Sequence, residues 1–324
     1  MRRFLPLLLL LSCCLAQAQV RRVIERPDTP RPDATYLFAE RDTCNLYLDF
    51  YDAAPGVGPC ADKVQKPVVI HVFGGAFVTG IRNHPDDREW YRQLADAGYH
   101  VAAIDYRLGL KGKTLKTNFS SLPVLREAIQ VAVDDLYAAT RYLLEHASEL
   151  DIDPERIILS GSSAGAITVL QAEWEICNNL PESRKLPRWF NYAGVMAFSG
   201  AVFSTDGQVR YPQKPCPTLL LHGTADRIVP YSSIAILKNY FVGSAGIAIR
   251  LADIEANYQI YRYKGAGHEI SVSMRRTLPE QLRFLEENVV KGVYRPLDAT
   301  LTDPLIEDQG WRKYTVLDLY SRKW

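Results

Sequence analysis

The chain has 324 residues, of which 47% are hydrophobic, and 38 lysines and arginines nearly balance 37 aspartates and glutamates. This composition fits a globular protein with ample core and excludes a disordered or low-complexity chain. The near-neutral charge, with no basic stripe or acidic block, points away from nucleic acid and from anionic membrane surfaces as partners.

The first residues read as a secretory signal peptide: basic Arg2 and Arg3, a leucine-rich run from Phe4 to Leu11, and a small-x-small site at Ala16-Gln17-Ala18. The apolar run falls short of the ~20 residues that span a bilayer. Cleavage after Ala18 would give a secreted or periplasmic protein starting at Gln19, with lipid attachment at Cys13 as the alternative. Four cysteines then remain. Export makes bridges plausible, and Cys44 with Cys60 and Cys177 with Cys216 are the pairings expected, among three possible. No Cys/His spacing supports a metal site, and no cofactor motif is present.

Residues 19–35, with Pro27, Pro30 and Pro32, read as an extended lead-in. Leu46, Leu48 and Phe50 alternate with Tyr47 and Asp49, the period of a half-buried strand near a sheet edge. Val68 to Phe73 is a continuous apolar strand broken only by His71, which reads as a hydrogen-bonded core residue, and it ends in Gly74-Gly75-Ala76-Phe77. Asp86 and Asp87 open a helix that Gly98 closes. Tyr99 to Ile104 is the next buried strand, followed by Asp105 and Arg107, read as a structural charge pair. From Leu122 to about His146 runs the longest helix, with Leu125, Ala128, Ile129, Ala132, Val133, Leu136, Leu143 and Leu144 on one stripe.

The apolar run Arg156 to Ser160 then meets Gly161-Ser162-Ser163-Ala164-Gly165 and a helix-like stretch. Strand, tight turn and helix are the context of a nucleophile elbow. Its glycines stand where a Cβ would clash, and its middle serine, Ser163, is lifted clear of the sheet. The N–H of Ala164, at the start of the helix, points toward developing negative charge. Further strands are expected at 194–198, 218–221 and 258–263, and helices at about 231–241 and 277–289. Strands alternating with helices imply a mainly parallel sheet with helices on both faces and ligands at the carboxyl ends of its strands.

An elbow of this kind is followed in the chain by an acid and then a histidine. Only His222 and His268 follow Ser163. His222 ends a strand and precedes Asp226, whereas His268 lies in the small-residue loop after the last strand. Asp226 is therefore the expected acid and His268 the expected base. A serine hydroxyl needs a neutral imidazole to take its proton, and a carboxylate to orient that ring.

These residues carry a family resemblance. The segments Leu48-Asp49-Phe50-Tyr51, Phe73 to Phe77, Asp105-Tyr106-Arg107-Leu108, Gly161 to Gly165, His222 to Asp226 and Gly267-His268 make the chain look like an α/β-hydrolase of the carboxylesterase/lipase kind, over about residues 40–290. The resemblance implies an oxyanion hole built from the amides of Gly75 and Ala76 with that of Ala164. Phe73 replaces the family's usual histidine, Ala76 its third glycine, and Ser162 the acidic residue often found before the nucleophile.

The expected organisation is a single hydrolase domain at 36–291 with little or no cap, followed by an appended element at 292–324. The expected activity is hydrolysis of carboxylic esters, either short-acyl or attached to carbohydrate. A serine peptidase on the same fold, an acyltransferase and a non-catalytic binding protein are the alternatives. The last predicts loss of a triad position, and none is lost. Asn118-Phe119-Ser120 matches a glycosylation acceptor, and Phe77, Phe119, Trp174 and Trp189 are candidates either for the pocket wall or for packing.

Overall fold

The computed structural model describes residues 28–113, 121–205, 207–236, 238–306 and 310–315. The expected signal peptide, Cys13, Asn118 to Ser120 and residues 316–324 lie outside them. The chain enters through an antiparallel hairpin, β1 (Ala34–Arg41) and β2 (Cys44–Tyr51). Then follow β3 (Lys66–Val72), α1 (Pro85–Asp96), β4 (His100–Ile104), α2 (Leu122–Glu145), β5 (Ile152–Ser162), α3 (Ala164–Cys177), β6 (Gly194–Phe198), β7 (Ala201–Ser204) and β8 (Thr218–Gly223). The last third holds β9 (Ser233–Ile236), β10 (Asn239–Gly243), α4 (Ser244–Asp253), β11 (Tyr258–Tyr263), α5 (Leu278–Phe284) and β12 (Leu297–Leu301).

Nine strands form one sheet in the order β1-β2-β4-β3-β5-β6-β8-β11-β12. From β4 to β12 every neighbouring pair is parallel, and β2, antiparallel to both β1 and β4, is the one strand that runs against the rest. A parallel sheet is covered on both faces, so its strands read as unbroken apolar runs. All seven residues of β3 are buried. Val68, Ile70 and Val72 join one core with Leu125 and Val133 of α2 and Val169 of α3. Val69 joins the other with Trp90 and Leu94 of α1 and Phe284 of α5. The carboxyl ends of β3, β5, β8 and β11 therefore open on one edge, where the loops described below converge.

Several expectations need correction. Residues 231–241 form no helix: β9 and β10 pair antiparallel, and β10 pairs in turn with β7, making a separate three-stranded sheet. The β-branched and aromatic residues of Ile234, Tyr240, Phe241 and Val242 suit pairing, and Phe203 of β7 meets Phe241 with ring centroids 5.4 Å apart. The helix expected over 277–289 is split, with α5 passing into a π-helical turn at Leu285–Val290. The sheet also extends past residue 291, because β12 adds a ninth strand alongside β11.

Asp105 and Arg107 do not pair with each other. Asp105 takes Arg82 at 2.6 Å, and Arg107 takes the buried Asp135 at 2.8 Å. Nor are the expected disulfides present, since Cys44, Cys60, Cys177 and Cys216 are all free. Cys177 donates its S–H to Glu173 Oε1 (3.6 Å), and the same oxygen accepts the Cys216 backbone N–H at 2.9 Å. His71 is the core residue expected, with Nδ1 3.1 Å from Ser160 Oγ. Burial holds its pKa down at about 3, so the ring is neutral. No helix among the described residues is long and apolar enough to cross a membrane.

Candidate active site

The turn from β5 into α3 is drawn tight by its glycines. A Cβ on Gly165 would run into the Val72 carbonyl, and one on Gly161 into the Gly165 carbonyl. Ser163, between them, has φ 51° and ψ −113°, outside the regions that side-chain-bearing residues favour. Its N–H donates to Phe198 O at 2.9 Å, which anchors the turn to the end of β6.

Two further loops reach this turn. Asp226 follows β8, and its Oδ1 accepts the N–H groups of Ile228 (2.9 Å) and Val229 (3.1 Å), so the carboxylate is fixed by its own loop. His268 follows β11 and opens a 3₁₀ turn, His268–Val272. The two loops are tied by Ala225 N donating to Ala266 O at 2.8 Å. They are also pressed so close that a Cβ on Gly223 would strike the carbonyls of Gly267 and Ala266.

The three predicted side chains come together as a chain of hydrogen bonds. Ser163 Oγ lies 2.8 Å from His268 Nε2, and His268 Nδ1 lies 2.7 Å from Asp226 Oδ2. With Nδ1–H donating to the carboxylate, Nε2 is left to accept the serine proton. Burial alone would raise the pKa of Asp226, but the charge and hydrogen bonds of His268 and His222 outweigh it. They hold the carboxyl well below its usual range. Asp226 is thus an anion at any pH where the site works.

Gly74, Gly75 and Ala76, after β3, face the serine across the cleft. A Cβ on Gly74 would come within 3.2 Å of Ser163 Cβ, so only glycine lets this loop approach. Gly75 (φ 127°), Ala76 (φ 58°) and Phe77 (φ 60°) are all left-handed, which turns the loop sharply across the end of the sheet. Gly75 and Ala76 line the same cavity as Ser163 and His268, whereas Ala164 is buried at the head of α3, directly behind the serine. Phe73, in the place of the family's usual histidine, packs on Tyr106 at 4.5 Å between centroids, and the Tyr106 hydroxyl donates to Phe73 O at 3.1 Å. Ser162, in the place of the acidic residue, donates to Ser271 O at 2.6 Å.

The cavity measures 590 Å³, and Phe73, Trp90, Ile228 and Met274 give it apolar walls. The aromatic residues considered from sequence do not line it. Phe77 is fully buried, Trp174 is buried and donates to Arg210 O at 2.8 Å, and Trp189 is 68% exposed. Phe119 lies outside the described residues.

Two residues of the site were not assigned from sequence. His222, passed over as a base, lies with Nε2 3.2 Å from Asp226 Oδ2 and Nδ1 2.8 Å from Ser244 Oγ. The i, i+4 spacing of His222 and Asp226 across a tight turn was its one sequence signal. Trp311, in the tail, meets the His268 ring with centroids 6.0 Å apart, and no local pattern announces it.

Comparisons with known proteins agree with this geometry. The BD-FAE family model matches residues 57–183, and the Phospholipase/Carboxylesterase model matches residues 125–285. Esterase LipI of Mycobacterium tuberculosis is 32% identical over 107 residues, 33% of this chain and 28% of that protein. Neuroligin-2 of Rattus norvegicus is 30% identical over 157 residues, 42% of this chain and 17% of that protein. The chain thus spans less than a third of the length of these relatives. Among solved structures, the native thermophilic esterase Est2 of Thermogutta terrifontis superposes with a TM-score of 0.58 at 20% identity, covering 83% of this chain and 96% of that one. This chain has the α/β-hydrolase fold, and its residues 125–285 are similar to the Phospholipase/Carboxylesterase family.

Proposed function

We infer that the protein hydrolyses carboxylic esters through an acyl-enzyme on Ser163. The observation that carries this is the unbroken hydrogen-bond chain from Ser163 through His268 to the anionic Asp226. In this reading His268 Nε2 takes the proton as Ser163 Oγ attacks the ester carbonyl, and Asp226 stabilises the imidazolium that results. The amides of Gly75, Ala76 and Ala164 receive the oxyanion, a contribution worth ~10²–10³ in turnover per donor. His268 then delivers the proton to the departing alcohol. Water, activated by the same ring, releases the acid.

The substrates proposed are short-acyl esters or acyl groups attached to carbohydrate. The Thermogutta esterase, which shares the fold, has been solved with propionate and with butyrate bound. A cavity of 590 Å³ is of a size with short acyl esters rather than long lipids. We further propose that the protein is exported and begins at Gln19 after removal of residues 1–18, which N-terminal sequencing of the secreted form would establish.

The test is the initial rate on aryl acetate, butyrate and octanoate beside Ser163→Ala. Turnover that falls with chain length and disappears in the variant supports the reading. Absence of Ser163-dependent turnover on all three overturns it and brings peptide cleavage forward.

A further inference from the structure

The loop that carries His268 is met by a segment more than forty residues further along. Because β12 runs parallel to β11, both strands release the chain at the same edge of the sheet, and Lys264 N still donates to Leu301 O at 2.8 Å. Just beyond, Asp303 holds Arg276 at 2.9 Å and accepts the N–H of Leu305 at 2.9 Å. Gly310, at φ 76° and ψ 8°, starts a 3₁₀ turn, Trp311–Lys313.

Three successive residues of the histidine loop touch that turn. A Cβ on Gly267 would lie 3.0 Å from Arg312 Cγ and 3.2 Å from Arg312 N. The His268 and Trp311 rings meet edge to face, with planes 70° apart. Glu269, 2% exposed, has Oε1 2.7 Å from Gly267 N and 3.9 Å from Arg312 Nη2. Trp311 is half-buried and lines the same cavity as Ser163.

The chemistry of the site says which part of a substrate Trp311 faces. With the carbonyl oxygen toward Gly75 and Ala76, the alcohol oxygen has to lie at His268 Nε2, since that atom returns the proton to it. A side chain packed on His268 and lining the cavity therefore stands beside the alcohol, not the acyl group. An indole presents a broad, rigid apolar surface at low entropic cost. A flat or chair-shaped ring covers such a surface, and a methyl or ethyl group does not.

We propose that Trp311 is a specificity-determining residue that receives a ring-shaped alcohol, a phenol or a pyranose, as the leaving group. The proposal deepens the ester-hydrolysis reading and rests on it.

The experiment compares acetate esters of ethanol, phenol and a xylopyranoside with wild type, Trp311→Ala and Trp311→Phe, each checked for an unchanged melting temperature. Trp311→Ala is expected to lower kcat/KM on the two ring alcohols by roughly three- to tenfold relative to ethyl acetate, mainly through KM. Trp311→Phe is expected to restore the phenyl ester at least in part. The ratio of acetate to butyrate to octanoate turnover should not move. A loss on phenyl acetate alone makes the ring aromatic, and a loss on the xylopyranoside alone makes it a sugar; either supports the proposal. Equal losses on all three alcohols, no loss, or an altered acyl preference overturns it while leaving the esterase reading intact. Failure of the esterase reading shows separately, as absence of Ser163-dependent turnover by the wild type.

Discussion

His222 and His268 share one carboxylate oxygen: Asp226 Oδ2 lies 3.2 Å from His222 Nε2 and 2.7 Å from His268 Nδ1. His222 is fully buried, and its other nitrogen is 2.8 Å from Ser244 Oγ. If Ser244 donates to Nδ1, Nε2 carries the proton and donates to the acid. His222 is in that case a positioning residue, steadying the group that steadies His268.

Replacement of His222 by leucine is expected to lower kcat roughly ten- to a hundredfold, since a hydrogen bond to a charged group contributes ~1.5–3 kcal/mol. His222→Gln, which keeps a donor, should fall between the two. Ester turnover measured alongside urea denaturation separates the roles: a loss of stability at unchanged kcat would make His222 a packing residue only.

Asp87 lines the cavity, and burial, followed by the charge of Asp86, pushes its pKa up to about 7. The unfolded chain ionises this group near the ordinary carboxylate value of ~3.9. Between those values the folded protein binds more protons than the unfolded one, so stability falls as pH rises through that window. Asp87→Asn removes the effect. The variant should melt several degrees above wild type at pH 8, with the difference vanishing near pH 4. A difference that does not change with pH would refute the assignment.

The glycine loops make a steric prediction. A Cβ on Gly75 would collide with the Thr79 carbonyl at a backbone φ of 127°. Gly75→Ala should therefore shift the loop and lower kcat ~10²-fold, the scale of a lost oxyanion donor. Gly165→Ala meets the Val72 carbonyl inside the sheet, and should show itself as loss of soluble protein. Full activity in either variant would contradict the packing described.

Thiol chemistry checks the cysteines. In guanidinium without reductant, the protein starting at Gln19 should titrate as four thiols. Its melting temperature should be the same with and without reductant. Two thiols, or none, would restore one or both bridges.

What the sequence discloses and what it hides follow from the same physics. The inner strands are buried on both faces, so Val68–Val72 and Leu219–Leu221 stand out as apolar runs whatever surrounds them. Ser163 was legible because a sharp turn needs Gly161 and Gly165 at fixed places. Asp226 and His268 followed from chain order, and the structure brings them together with Ser163. By contrast, Ile234 and Ala235 belong to a strand because β10 lies beside them, and β10 in turn rests on β7, some thirty residues away. Helix α4, with Ser244 and Gly246 in its first turn, has no counterpart among the helices expected from sequence. The position of Trp311 depends on β12 pairing parallel with β11, a tertiary fact with no local trace.

Around Ser163 the backbone stores work. Ala76, Phe77, Ser163 and Ser199 all have positive φ without being glycine, and such residues cost ~1–3 kcal/mol each. Summed, that is comparable with the ~5–15 kcal/mol by which a folded domain exceeds its unfolded chain. The nine-stranded sheet therefore serves as a clamp as well as a scaffold. A mutational drift that favoured stability alone would relax these four positions first, and would arrive at a sturdier molecule with no cocked serine.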